Sequence, residues 1–376
     1  NPIFALFDDD QSIYGWRGAK IENIRNFTKH FPKCEIVRLE QNYRSTATIL
    51  NAANALIAHN RGRLGKNLWT ADKAGEPLQL YSAFNELDEA RFVAARIQKW
   101  LEQGGKRRDI AILYRSNAQS RVFETTFNEF RIPYRVYGGL RFFERAEIKD
   151  ALAYLRLSLN RADDASFERV VNHPTRGIGD RTIDILRTHA RSTNTSLWEM
   201  ATRVHELGEL TARAATAVLN FVQLINQMAR DTAVLPLGER VQTIIEMSGL
   251  KPHLITKKKG EQGQARVDNL DELVTAAQSY SYVPTDDMPR MDLLSAFLSH
   301  AALEAGEGQA EVGDDCVQMM TLHSAKGLEF PLVFLCGMEE GLFPHQMSAD
   351  DPNRLEEERR LCYVGITRAE KSLVFS

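Results

Sequence analysis

Strand-like runs lie at both ends of this chain and are missing from its middle, and that distribution constrains the fold more than any other feature. Short apolar runs at residues 3–7, 35–39, 77–81 and 109–114 read as strands. Between them, Leu87, Ala90, Val93, Ala94, Ile97 and Leu101 recur at helical spacing. Strands alternating with helices predict a parallel sheet. From about residue 140 the alternation stops. Helical patterns then cover 148–159, 166–171, 183–191, 210–230, 237–248, 267–278 and 291–303, punctuated by Gly177, Gly179, Pro284 and Pro289. A stretch rich in glycine and acid, 304–315, reads as a linker, and strand patterns return at 317–321, 332–336 and 372–375. The economical solution is one α/β domain interrupted by an inserted all-helical domain. A length of 376 residues accommodates it, at roughly 100–200 residues per domain.

Composition excludes several classes. Apolar residues make up 43% and charged residues 26%, an ordinary globular balance. No run approaches the roughly 18 apolar residues of a membrane span. The first residues lack the basic start of a secretion signal, so a cytoplasmic protein is expected. Cys34, Cys316, Cys336 and Cys362 show no C-x-x-C spacing, which predicts no zinc site and suits a reducing compartment. A net charge of −3 does not announce nucleic-acid binding, so any such site must come from local patches and stacking side chains.

Four clusters carry chemistry. In Asp8-Asp9-Asp10-Gln11-Ser12-Ile13-Tyr14-Gly15-Trp16-Arg17-Gly18-Ala19 the carboxylates can position metal and water, and Gln11 can orient a water or a phosphate oxygen. Tyr14 and Trp16 can stack on bases beside Arg17; the same string reads equally as a polar turn followed by core aromatics. In Leu39-Glu40-Gln41-Asn42-Tyr43-Arg44-Ser45, Tyr43 offers a ring face and Arg44 a charge, although a helix N-cap at Ser45 explains the string too. Thr321-Leu322-His323-Ser324-Ala325-Lys326-Gly327-Leu328-Glu329-Phe330 packs His, Ser, Lys and Glu between two strands; a structural histidine and a solvated lysine are the plainer alternative. The fourth, 356–369, reads alone as a salt-bridged helix with Arg368 complementing its dipole.

Taken together and in order, these strings resemble motifs III, IV, V and VI of superfamily 1 DNA helicases of the UvrD, Rep and PcrA type. The long strings DDDQSIYGWRGA, LEQNYRS, TLHSAKGLEFP and EERRLCYVGITRA carry the resemblance, and the segments between them resemble the UvrD branch. The resemblance implies an α/β fold of RecA-like (P-loop NTPase) type with an inserted helical domain. Its parts would be a remnant of domain 1A at 1–32, domain 2A at 33–139 and 304–376 with a linker, and helical domain 2B at 140–303. It implies ATP and Mg²⁺ as cofactors and ATP-dependent 3′–5′ unwinding in DNA repair or replication. Gln11 would sense the γ-phosphate, Tyr43 stack on adenine, Arg44 and Arg368 reach the γ-phosphate, and Glu329 lie near the ribose. Tyr14, Trp16 and Arg17, with His323 and Lys326, would engage single-stranded DNA. Arg176, Gly177 and Gly179 would contact duplex. Implied partners are single-stranded DNA and single-strand/duplex junctions, with DNA repair proteins and a homodimer left open and no membrane.

No G-x-x-x-x-G-K-[ST] string occurs in the chain. The phosphate-binding loop and the Mg²⁺-holding carboxylates are expected upstream of Asp8, so the chain alone is expected not to hydrolyse ATP. Two other readings remain at this stage: a Rep- or PcrA-type helicase with a different cellular task, and a non-catalytic duplex-binding or interaction module.

Overall fold

The computed structural model describes residues 5–72, 74–258, 260–282, 291–306, 310 and 313–376, and of Trp16 the backbone only. It divides into two compact units, one formed by residues 1–140 and 308–376 and the other by 141–307.

The first unit is α/β. Its six strands are β1 (Gln79–Leu80), β2 (Ile110–Tyr114), β3 (Tyr134–Val136), β4 (Val317–Thr321), β5 (Phe330–Leu335) and β6 (Ala369–Phe375). They form one sheet in the order β1-β6-β5-β2-β4-β3, and every pairing is parallel. Central β2 is fully buried, as a parallel strand covered on both faces must be. Its alternate residues feed two cores. Ala111 and Leu113 pack with the Ala47–Ile57 and Pro352–Ile366 helices, through Ile49, Ala53, Leu361 and Val364. Ile110, Ile112 and Tyr114 face the Glu86–Glu102 and Ser120–Glu129 helices, through Val93, Ile97, Phe123 and Phe127. The Glu86–Glu102 helix begins where the sequence places it, with the Asn85 side chain accepting from Asp88 N at 2.9 Å.

One connection is unusually short. Residues 322–329 run from the end of β4 to the start of β5 as turns, with no intervening helix, and pass the strand between them, β2.

The sequence overstates the strands at the N-terminal end. Residues 5–8 carry no strand, Leu6 is 90% exposed, and residues 3 and 4 lie outside the described part. Residues 35–39 are also irregular, with Val37 74% exposed. A β-rich composition makes a strand only beside a neighbour with which to share hydrogen bonds, and none of the described residues flanks either run. The reading misses β3, a three-residue strand, and the Ser120–Glu129 helix, and its N-cap at Ser45 falls one residue before Thr46, the cap of the Ala47–Ile57 helix. In the stretch read as a linker, the Leu293–Gly306 helix continues into its first residues, and Asp315 accepts from Arg108 N at 3.0 Å.

The second unit is helical throughout its described residues. The Ala146–Leu159 helix buries residues on every side and forms its centre. Around its core pack the Asp164–Val170, Asp180–Thr193, Leu197–Thr202, Ala212–Asp231, Leu237–Ser248, Leu250–Lys257, Glu261–Ser279 and Leu293–Gly306 helices. The sequence reading omits Leu197–Thr202 and Leu250–Lys257, both too short to show a clear period. Pro284 and Pro289 lie outside the described residues.

Gly365 marks the tightest approach of the Pro352–Ile366 helix to the sheet. A Cβ there would sit 2.5 Å from Leu322 Cδ2 and 2.9 Å from Leu335 Cδ2, both in buried residues that cannot swing away. Gly365→Ala is therefore expected to destabilise the α/β unit by about 1–3 kcal/mol through overpacking. A denaturant midpoint unchanged from wild type would show that the helix is not pinned there.

Candidate functional site

Two groups of side chains in the α/β unit hold most of the residues singled out in the sequence. The first lies where β5 and β6 begin. Arg368 immediately precedes β6, and its carbonyl accepts from the N–H of Phe330, the first residue of β5, at 2.9 Å. Asn42 Oδ1 accepts from the backbone N–H groups of Arg44 and Ser45 at 2.8 Å each, an Asx turn that fixes the chain before the Ala47–Ile57 helix. Ser45 Oγ then donates to Ala369 O at 2.6 Å, which brings Arg44 beside Arg368. Arg44 Nε pairs with Glu329 Oε2 at 2.5 Å, and its Nη1 donates to Thr367 O at 3.3 Å. Tyr43 projects from the same turn with 81% of its surface exposed.

Arg368 is the unusual member, only 2% exposed. Its guanidinium donates to Val364 O (3.0 Å), Leu328 O (2.9 Å) and Thr367 Oγ1 (3.1 Å), and forms no ion pair among the described residues. Burial, and then the neighbouring Arg44, push its pKa down to about 10, so it remains a cation at neutral pH. A buried charge without a counter-charge is costly, and an arriving anion would relieve that cost. The segment 356–369 is largely a helix with ion pairs, Arg360 to Glu356 at 3.8 Å and Arg115 to Glu358 at 2.8 Å, and Glu358, Arg360 and every residue from Leu361 to Arg368 are buried.

The second group surrounds Gln11. Asp9–Gln11 is a 3₁₀ turn capped by Asp8, whose Oδ1 accepts from Asp10 N at 3.2 Å. Asp8 Oδ2 accepts from Gln11 Nε2 at 2.8 Å and from Lys66 Nζ at 2.6 Å. Asp10 receives a two-pronged pair from Arg63, at 2.8 and 2.7 Å, and Asp9 Oδ2 accepts from Leu64 N at 2.8 Å. The hydrogen bond to Asp10 raises the Arg63 pKa. Ligand oxygens of the three aspartates lie within 4.8 Å of one another. Each carboxylate also accepts a hydrogen bond from a donor of the chain. Local sequence does not signal this pairing, because the basic loop lies more than 50 positions away.

Tyr14, Arg17, His323 and Lys326 come together beside Gln11. The Tyr14 hydroxyl donates to His323 O at 3.2 Å, and the two rings lie 6.2 Å apart. The Arg17 guanidinium carbon and Lys326 Nζ stand 5.3 and 5.5 Å from the Tyr14 ring centre. Lys326 Nζ donates to Gln11 O at 2.7 Å, and burial lowers its pKa. The Trp16 side chain lies outside the described residues. Burial, and then the Arg115 guanidinium, push His323 down to about 4, so its ring is neutral at physiological pH. Arg115 itself grips Glu358 through two nitrogens, with Nη2 at 2.8 Å, in a buried pair that local sequence did not reveal.

In the helical unit, Gly177 has a positive φ of 81°, and both it and Gly179 are exposed with open space where a side chain would go. Arg176 departs from its expected part as a surface charge. Its guanidinium donates inward to Val170 O, Pro174 O and Ser248 O, at 3.2, 2.9 and 2.9 Å, and lies 5.6 Å from the centres of the Tyr154 and Phe221 rings. It shapes the turn instead of presenting charge at it.

Comparison with known proteins adds family evidence. The family model for the UvrD-like helicase C-terminal domain matches residues 37–376, and that for the UvrD/REP helicase N-terminal domain matches residues 1–32. The chain is 59% identical over 376 residues to DNA helicase II of Escherichia coli K12, covering 100% of this chain and 52% of that protein. It is 60% identical over 374 residues to DNA helicase II of Haemophilus influenzae, covering 51% of it. It is 42% identical over 373 residues to ATP-dependent DNA helicase PcrA of Staphylococcus aureus COL, covering 50% of it. The chain thus spans about half the length of the curated relatives it matches.

The neutral His323 generates a pH dependence. The unfolded chain takes up a proton below about pH 6.5, whereas the folded imidazole does so only near 4. Stability of the α/β unit is therefore expected to fall as pH drops from about 6.5 towards 4. His323→Asn should remove that part of the decline. Equal losses in wild type and variant, read from denaturant midpoints at pH 7 and pH 5, would contradict the assignment.

Proposed function

Because this chain belongs to the UvrD-like helicase family, with its RecA-like α/β fold, we propose that it is the C-terminal portion of an ATP-driven 3′–5′ DNA helicase acting in repair or replication. In this reading residues 1–32 belong to domain 1A, 33–139 and 304–376 to domain 2A and its linker, and 140–303 to domain 2B. The observation that carries the proposal is Arg368, a buried guanidinium with no carboxylate partner among the described residues, held beside a second arginine.

The residues present fit a nucleotide triphosphate at its base and its γ-phosphate. Tyr43 offers an unstacked, exposed ring to a purine. Arg44 exchanges Glu329 for a phosphate oxygen, and Arg368 adds a desolvated charge whose effect grows in a low dielectric. Bound ATP supplies the phosphoryl group whose developing charge these guanidiniums stabilise. The chain's own residues do not fit Mg²⁺, since Asp8, Asp9 and Asp10 are already engaged and no phosphate-binding loop string is present. Single-stranded DNA would lie against Tyr14, Arg17, His323 and Lys326. Any duplex contact of the helical unit would use backbone N–H groups at Gly177 and Gly179. Among the described residues no helix is long and apolar enough to cross a membrane.

The 376-residue chain by itself is expected not to hydrolyse ATP, with or without single-stranded DNA; DNA-stimulated turnover would mean that the phosphate site is built from other residues. In the full-length protein, Tyr43→Ala should leave the melting temperature unchanged, because the ring is exposed. It should weaken ATP binding by about 1–3 kcal/mol if the ring stacks on the base. Unchanged affinity in a binding titration would remove Tyr43 from the nucleotide site.

A further inference from the structure

We infer that Lys66, acting through Asp8, is a positioning residue that fixes which face of the Gln11 amide is presented to the reacting phosphate. The inference rests on the reading of Gln11 as the glutamine that meets the γ-phosphate or its attacking water.

An amide side chain has an oxygen that accepts and a nitrogen that donates, and it is free to flip unless a neighbour decides between them. Asp8 decides. Its ionised carboxylate only accepts, so the group 2.8 Å away must be the Gln11 nitrogen. Gln11 Oε1 is thereby turned away from Asp8 and left to accept from a water or a guanidinium. Backbone contacts restrain the residue further: Gln11 N donates to Asp8 O at 3.3 Å, and Gln11 O accepts from Lys326 Nζ at 2.7 Å.

Lys66 holds the Asp8 carboxylate in place. Its Nζ lies 2.6 Å from the same Oδ2 that holds Gln11. Without that cation, Asp8 Oδ2 would lose one of its two side-chain donors, and the carboxylate would be free to turn away from the Gln11 nitrogen. The loop that delivers Lys66 is itself built for the purpose. Arg63 spans Asp10 and Lys66 O, the latter at 2.8 Å, and Gly65 turns the chain with a φ of 75°. Arg63 pairs with Asp10 and the Leu64 N–H donates to Asp9, while Lys66 meets the carboxylate that touches Gln11.

The test follows the Gln11 side-chain amide in the ¹⁵N-glutamine-labelled chain, with its signal assigned by loss in Gln11→Ala. In wild type, the Gln11 Nε2 proton donated to Asp8 should exchange with solvent about tenfold more slowly than in a free amide, the protection of one charge-assisted hydrogen bond. Lys66→Met should abolish the slowing and Lys66→Arg should retain it. Solvent-rate exchange in wild type, or protection unaltered in Lys66→Met, overturns the inference and leaves the proposed function standing. In the full-length protein, Lys66→Met should lower kcat for ATP by about 10- to 100-fold with KM unchanged, as misplacement of a reacting group does. A purely structural role would lower the melting temperature without that split and without rescue by Lys66→Arg. Loss of amide protection with kcat intact would instead overturn the reading of Gln11 at the phosphate.

Discussion

A parallel sheet cannot be closed by hairpins; every strand must be reached by a crossover, so all strand starts collect along one edge and all strand ends along the other. That constraint organises the α/β unit. At the edge where β5 and β6 begin stand Glu329, Arg368 and, tied to them through Ser45 and Thr367, Arg44. Towards the edge where β2 and β4 end stand Arg115 and His323, with Leu322 N donating to Tyr114 O at 2.9 Å. The same rule lets a helical domain be inserted without harm. The chain leaves after β3 and returns at β4, which are paired neighbours, so the ends of the insertion are met by adjacent strands.

Charge in this unit is distributed by a single logic. Asp10 pairs with Arg63, Asp8 with Lys66, and Asp9 accepts from a backbone N–H. One buried carboxylate, Glu358, is matched to Arg115 by a two-pronged pair. Against this background of paired groups, Arg368, buried and satisfied among the described residues by carbonyl and hydroxyl oxygens, stands out as a place where the fold accepts a cost. Its neighbour Arg44 is paired, but with Glu329 near the surface, where separation is cheap.

How much of this could be read from sequence depends on how local the cause is. Central β2, the Glu86–Glu102 helix with its Asn85 cap, β4 and the succession of helices in the second unit are set by periodicity and capping, which short windows contain. The strands expected at 3–7 and 35–39 failed where described, because pairing is a property of neighbours and not of composition. The site residues stand out in the strings, but their commitments do not. Nothing near Arg176 signals that its guanidinium turns inward towards Tyr154 and Phe221, and nothing near Asp10 names Arg63. Such long-range pairs are decided by tertiary geometry.

The turn-only connection 322–329 has a mechanical meaning. The β2 registers place the end of β4 level with the end of β5, so this segment must return the full length of β5 and step across two strand positions. That is a span of roughly 20 Å, for a chain that reaches at most about 30 Å fully stretched and spends part of its length in tight turns, Ala325 N to Thr321 O and Leu328 N to Ala325 O. It is a tether with little slack. Seven consecutive residues, 323–329, therefore join His323 towards one edge of the sheet to Glu329 at the other.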